Sequence, residues 1–599
     1  MQHWIPRAAW GLLVVGHSAQ TPQHRRVTAV SPATREQSER EQVAHVLHRL
    51  AFGPRPGDVE AVLKSGVDRW IEAQLHPARL PESQTRAALA AYEHLDKSAA
   101  ELRGEFPPPG ALRRAAGGRM TPEDSQALRR RAQEGRQFVG ELMSARVARA
   151  VVSERQLEEL MTDFWLNHFS VFVGKNVQMR YHLSAYEREA IRPLVFGRFR
   201  DLLGAVAHSP AMLIYLDNAI SVADSGRPTL VDRRVAERRV AAVRGAVSRN
   251  ARRPGARLDS AGLEQLLARR PRGLNENYAR ELLELHTLGV DGGYSQLDVI
   301  EVARALTGWS VRAGARGGDG FVFNAVAHDA GGKSILGRPF AAGRGEDEGD
   351  RVLDLLAEHP ATARHISTKL VRRFVSDSPP SALVDRVTDV FMRTKGDIRA
   401  VVRTIVTSDE FFSRAAYRAK VKSPFEVVVS AARALGARAD STPLTAGLVA
   451  RMGQPIYGHQ APNGWPETGA EWMNTGAILN RINFGIAVAS NRLPGVRVAE
   501  WHRYGVLAGA SRAAQVDGVI SGLLGGEAAA ETRAILESGN NPMLDAAPGD
   551  TLDAVLDDEV QLSMRGGQAE RRGRRAPPPL TGLDQIIGLA LGSPEFQRR

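Results

Sequence analysis

Residues 275–286 read Asn275-Glu276-Asn277-Tyr278-Ala279-Arg280-Glu281-Leu282-Leu283-Glu284-Leu285-His286, and their spacing decides the fold class. At about 100° per residue, Tyr278, Ala279, Leu282, Leu283 and Leu285 share one face, with His286 in its middle. Glu276, Asn277, Arg280, Glu281 and Glu284 share the other. Asn275 stands where an N-cap belongs, and Glu276 with Arg280 form an i,i+4 pair. The stretch predicts an amphipathic helix. Its polar face is either solvated or, given its density of carboxylate, amide and guanidinium groups, the wall of a polar pocket.

The same periodicity extends in both directions. A helix over 41–50 stops at Phe52-Gly53-Pro54, and Arg55-Pro56-Gly57-Asp58 opens another that runs toward Gln74. A long helical run covers 125–169, and others cover 275–308, 351–437 and the region from 477. A Gly-, Pro- and aromatic-rich stretch, 453–472, reads as an ordered loop. The one strand signal is Gly320-Phe321-Val322-Phe323 followed by Ser334-Ile335-Leu336-Gly337, a small hairpin near 320–337. The expected fold is all-α, a multi-helix body over 40–599 with that hairpin.

Composition narrows the chemistry. The 599 residues contain no cysteine, which excludes disulfides, thiolate metal sites and a cysteine nucleophile. The net charge of +12 is concentrated in two places. Ten Arg against Asp232 and Glu237 give +8 over 227–257, and five Arg against Glu570 give +4 over 565–575. The remainder is neutral, so the basicity belongs to insertions at 226–260 and 565–579. A solvated appendage is the expected role of such segments, and nucleic acid is not the expected partner. Arg7 followed by an apolar run over 8–16 and the small residues Gly16, Ser18 and Ala19 predicts a signal peptide over 1–20, hence export to the periplasm or the medium. Apolar runs elsewhere are too short to span a bilayer, which needs about 20 residues.

Candidate site residues fall in four segments. In Asp163-Phe164-Trp165-Leu166-Asn167-His168-Phe169, His168 lies on the apolar face and Asn167 beside it. An imidazole there is either a satisfied core histidine or part of a site shared with His286. His328, Asp329 and Lys333 belong to the loop expected between the two strand segments, a rigid place for a charged tip. That stretch approaches a phosphate-binding loop, but Ala327 stands where the motif needs glycine and no helix follows. Asp217 and Asn218 end an apolar run and suit capping or ligation. His45 and His48 make an i,i+3 pair without a third ligand. The fingerprints of zinc peptidases, serine hydrolases and dinucleotide-binding folds do not occur.

Several stretches together resemble the DUF1800 family of large bacterial proteins without established function. They are HVLHRLAFGP at 45–54, TDFWLNHF at 162–169, FRDLLGAVAHSPAMLIYLDN at 199–218, NENYARELLELHTLGVDGGYSQLDVIEVARALTGW at 275–309, the strand segment 321–337, ATARHISTKLVRRFVSD at 361–377, and Gly592-Ser593-Pro594-Glu595-Phe596. The resemblance implies export, and a partner in a secreted DUF1501-family protein encoded nearby. It supplies no catalytic residue.

Two functions follow as expectations. One is a binding or assembly protein of the cell envelope, acting with a secreted partner. Its binding residues would be Asn167, His168, Asp217, Asn218, Asn275, Asn277, Arg280, His286 and Lys333. The other is an extracytoplasmic hydrolase, with or without a metal, in which Glu276, Glu281, His328 and Asp329 supply acid, base or ligands. Neither a metal nor another cofactor is specified by these residues.

Overall fold

The structure, a computed structural model, describes residues 35–108, 121–231, 273–312, 320–440, 442–540 and 580–599. The expected signal peptide and both basic insertions, apart from 226–231, lie outside the described residues.

The architecture is helical, with two small antiparallel strand pairs. Local chemistry sets several helix starts. Ser38 and Glu41 form a capping box at Glu39–Arg49, Ser295 and Asp298 at Gln296–Leu306, and Ser423 and Glu426 at Pro424–Ala434. The run expected over 125–169 is two helices, Pro122–Val152 and Gln156–His168. The break is held by the Gln156 amide, which donates to Ala150 O and Ser153 O. The helix expected toward Gln74 also divides, into Asp58–Ser65 and Val67–Gln74, at Gly66, whose φ of 87° no β-carbon-bearing residue adopts cheaply.

The strands depart from the expected hairpin. β1 (Trp309–Val311) pairs with β2 (Phe321–Phe323), and β3 (Lys333–Ile335) pairs with β4 (Arg338–Phe340). Segments 321–323 and 334–337 therefore do not pair with one another. Leu336 and Gly337 both take positive φ, 49° and 71°, and turn β3 straight back onto β4 in two residues.

One hydrophobic core runs from Val43 to Phe596. Two of its helices, Thr475–Ala489 and Gly582–Gly592, cross at glycines so closely that a β-carbon on Gly485 would lie 2.4 Å from Gly588 O. Arg49 is wholly buried and joins distant segments: it donates to Phe374 O, Val375 O, Ala416 O and Arg599 O at 2.7–2.9 Å. No helix among the described residues is long and apolar enough to cross a membrane.

Candidate functional site

The residues singled out from the sequence fall in separate places. His168 and His286 do meet, in the core. The rings are 6.3 Å apart, and His168 Nε2 lies 3.2 Å from His286 O. His365, from the Pro360–Phe374 helix, completes a trio at 6.2 Å from His168. Neither ring nitrogen of His286 has a hydrogen-bond partner. Burial, then Lys369 and His365, lower the His286 pKa to about 3. Burial and Lys369 bring His365 to about 4. His168 is lowered well below the usual imidazole value, by burial first and then by Lys369 and the other two rings. The trio is thus a neutral, aromatic part of the core, with Phe169 edge-on to His286 at 5.1 Å.

The helix leading to His286 begins at Asn277, one residue later than the expected cap at Asn275 allows, and passes into a π-helical turn over Leu282–Thr287. Asn275 Oδ1 instead accepts from Asn277 N at 2.9 Å, an Asx turn, and its amide reaches Asp217 O. Asn277 donates to Leu216 O. Asn218 donates to Leu306 O and Trp309 O, tying β1 to the helix before it. Asp217 adopts φ 62° and pairs with Lys175 at 2.6 Å. Glu276, Arg280 and Gln296 bond to one another at 2.7–3.2 Å on the outer surface. Burial, and then Glu284, raise the Glu281 pKa.

His328, Asp329 and Lys333 are not at an exposed tip. Each is buried beneath the two strand pairs. Asp329 takes a two-pronged ion pair from Arg304 at 2.8 and 3.1 Å, and Arg304 also donates to both Glu301 oxygens at 2.8 Å. Lys333 donates to Glu348 at 2.6 Å and to Asp329 O and Gly331 O. His328 Nδ1 lies 2.8 Å from Thr307 O, and its Nε2 is 3.3 Å from Glu348. The ion pairs tie β3 and the loop before it to the helices Gln296–Leu306 and Asp347–Ala357, while His328 Nε2 has no hydrogen-bond partner. Among the described residues, no cluster of His, Asp and Glu is arranged to hold a metal ion. His45 packs edge-on against Phe411, 4.5 Å away.

Of the expected residues, only Asn167 borders the principal cavity. This cleft opens to solvent. Charged side chains from five separate segments line it. Arg146 reaches Asp163 at 2.7 Å; Arg373 reaches Glu426 at 2.8 Å and Asp163 at 3.9 Å; Arg599 reaches Glu426 at 3.2 Å. Glu426 is also the capping-box acid of its helix, so Ser423 N fixes its second oxygen at 2.8 Å. Its burial opposes ionisation, but Arg599 and Arg373 outweigh that and bring its pKa down to about 2. Burial wins at Asp163, whose pKa is raised against the pull of Arg146 and Arg373. Burial and the neighbouring Arg373 lower Arg599 to about 10.

The predicted loop 453–472 also lines the cleft, with Tyr457, His459, Trp465 and Trp472, and the Tyr457 ring lies 5.3 Å beneath the Arg146 guanidinium. It is ordered, as its composition suggests. Asn167 clamps it by donating to Trp465 O at 2.9 Å and accepting from Trp465 N at 2.7 Å. Tyr457, at φ 55°, donates to Glu187 at 2.5 Å, and Tyr215 donates to Gln460 O. Arg146, Asp163, Arg373, Glu426 and Arg599 were not legible as a set, because no spacing in the sequence connects them.

Comparison with known proteins adds one fact. Residues 45–598 match the family described as a protein of unknown function, DUF1800. The chain belongs to the DUF1800 family. The match takes in every residue of the cleft except Arg599. Neither a curated protein nor a solved structure matches the chain.

Proposed function

We propose that this DUF1800 protein is an exported binding or assembly protein of the cell envelope, acting with a secreted partner of the DUF1501 family, and that the cleft is its binding surface. The observation that carries the reading is the cleft's construction. Its polar groups are held in place by one another and by a capping box, and aromatic side chains line the same opening. A preorganised polar surface with an aromatic wall is what a binding site requires. The hydrolase reading drawn from Glu276, Glu281, His328 and Asp329 needs these groups around one reacting atom. They lie instead in a surface pair network, a half-buried helix face and a closed ion-pair network. Export rests on the sequence of residues 1–20.

Sedimentation velocity of the mature chain mixed with the encoded DUF1501 protein tests the reading. A complex at micromolar concentrations, weakened by Arg373→Met and by Trp465→Ala, is expected. No association at about 50 µM, where a partnership worth about 6 kcal/mol would be visible, overturns the assembly role.

A further inference from the structure

From the charge balance around the cleft, we infer that the partner presents an acidic peptide segment to it, with glutamate or aspartate side chains at the point of contact. The inference rests on the cleft being the binding surface for a protein. Part of the charge there is matched. Arg146, Arg192, Arg373 and Arg599 meet Glu159, Glu187, Asp163 and Glu426 in one continuous web. Lys420 pairs with Asp377. Three further cations adjoin this web, and among the described residues none of them has a carboxylate within ion-pairing reach. Arg49, Lys422 and Arg481 are at most 3% exposed and donate to neutral oxygens instead. Arg49 bonds four carbonyls, one of them Arg599 O; Lys422 bonds Phe596 O; Arg481 bonds Lys422 O and Gln597 Oε1.

The surplus shows in the neighbouring groups. Burial, against the pull of Glu426 and with the push of Arg418, Arg599 and Arg481, lowers the Lys422 pKa to about 7. Burial and Arg599 bring Lys420 to about 8, although Asp377 favours its charge. Val421 and Ser423, on either side of Lys422, line the cleft, and so does Arg599. A charged group entering the cleft therefore approaches the unmatched cations. Their field is weakly screened, because the protein around them polarises far less than water and excludes salt. A carboxylate is attracted, and an ammonium group is repelled.

Cations that a partner can touch stand beside the same opening. Glu467, which lines the cleft, is shared by Lys369 at 2.7 Å and Arg372 at 3.9 Å. One carboxylate thus serves two cations, and it holds Arg372 only loosely. The Arg372 side chain is 31% exposed and that of Arg373 15%. A carboxylate side chain is small and planar and matches the fork of a guanidinium, so it asks for little room. The buried cations set the sign of the preference, and Arg372 and Arg373 supply the contact.

Fluorescence anisotropy of labelled decaglutamate with the full mature chain tests this, with decalysine and a Gly-Ser decapeptide as controls. Saturable binding of decaglutamate alone is expected, and it should fall steeply as salt is added. Arg372→Gln should weaken it about threefold and Arg373→Met roughly tenfold, while Val506→Ala, on the outer surface, leaves it unchanged. Circular dichroism confirms that each variant is folded. Decaglutamate bound no better than the Gly-Ser peptide at about 1 mM overturns the acidic assignment. So does binding that ignores both Arg372 and Arg373, because the Arg-rich residues 227–257 would then be holding the peptide. If decaglutamate fails while the partner complex still depends on Arg373, only the acidic character falls. If decaglutamate binds as expected while the partner complex is insensitive to Arg373, the acidic preference stands and the DUF1501 partnership at the cleft falls.

Discussion

Replacing His286 by methionine separates a packing role from a functional one. His286 is fully buried, and neither ring nitrogen is hydrogen-bonded, so an apolar side chain of similar volume loses no polar contact. At about pH 7.5 the variant should therefore lie within about 1.5 kcal/mol of the parent, in either direction. Acid distinguishes them. The unfolded histidine titrates near 6.5, while burial, Lys369 and His365 hold the folded one at about 3. Below pH 6.5 the unfolded chain gains a proton that the folded chain refuses. The stability this histidine contributes is complete above 6.5 and declines as the pH falls toward 3. At about 1.4 kcal/mol per pH unit, the decline by pH 5 is about 2 kcal/mol. His168 and His365, also depressed, act in the same direction and remain in the variant. Urea unfolding followed by circular dichroism at pH 7.5 and pH 5 measures the difference. The variant should lose about 2 kcal/mol less than the parent over that interval. Equal losses would refute the reasoning, because they would mean that His286 is protonated as readily in the folded protein as in the unfolded one.

Three other expectations follow from the geometry. Arg304→Leu strips Asp329 and Glu301 of their shared cation and should cost about 3–5 kcal/mol in chemical denaturation, with partial recovery when Asp329→Asn is added; no recovery would count against the ion-pair account. Asn167→Ala removes both bonds to Trp465 and should cost about 1–3 kcal/mol while speeding proteolysis within 458–468; an unchanged cleavage rate would show that the loop is held by other means. Gly485→Ala places a methyl 2.4 Å from Gly588 O, so the two helices must separate, at about 1–3 kcal/mol in the unfolding midpoint; a neutral result would place the helices farther apart than described.

How much the sequence revealed depends on the range of the interactions involved. Helices were legible because apolar spacing and capping residues are local: Ser38 with Glu41, and Ser295 with Asp298, mark their own boundaries. His168 and His286 could be placed on buried faces for the same reason, although only tertiary structure could bring the rings to 6.3 Å. The strand partners were misjudged because β1 directly follows a helix and is three residues long, too short to register as a pattern beside it. His328, Asp329 and Lys333 looked like a charged tip because turn-rich composition is usually exposed. Arg304 and Glu348, whose charges allow them to be buried, approach from helices outside that loop. The cleft was invisible because Arg146, Asp163, Arg373, Glu426 and Arg599 meet only after the chain has folded.

Arg49 carries an implication for the order in which this molecule comes into being. Its guanidinium waits for the carbonyl of a residue 550 positions away, and the side chain of that same residue, Arg599, completes the ion pair on Glu426. Contacts of such sequence separation form late and slowly, since a very long loop must close first. During synthesis, the helices near residue 45 can form early, while the cleft lacks one of its three cations. Until then Arg49 is a buried charge without its full complement of acceptors, which keeps the first helix only loosely docked. Completion of the cleft's ion pairs and final locking of the first helix thus depend on the same late contact.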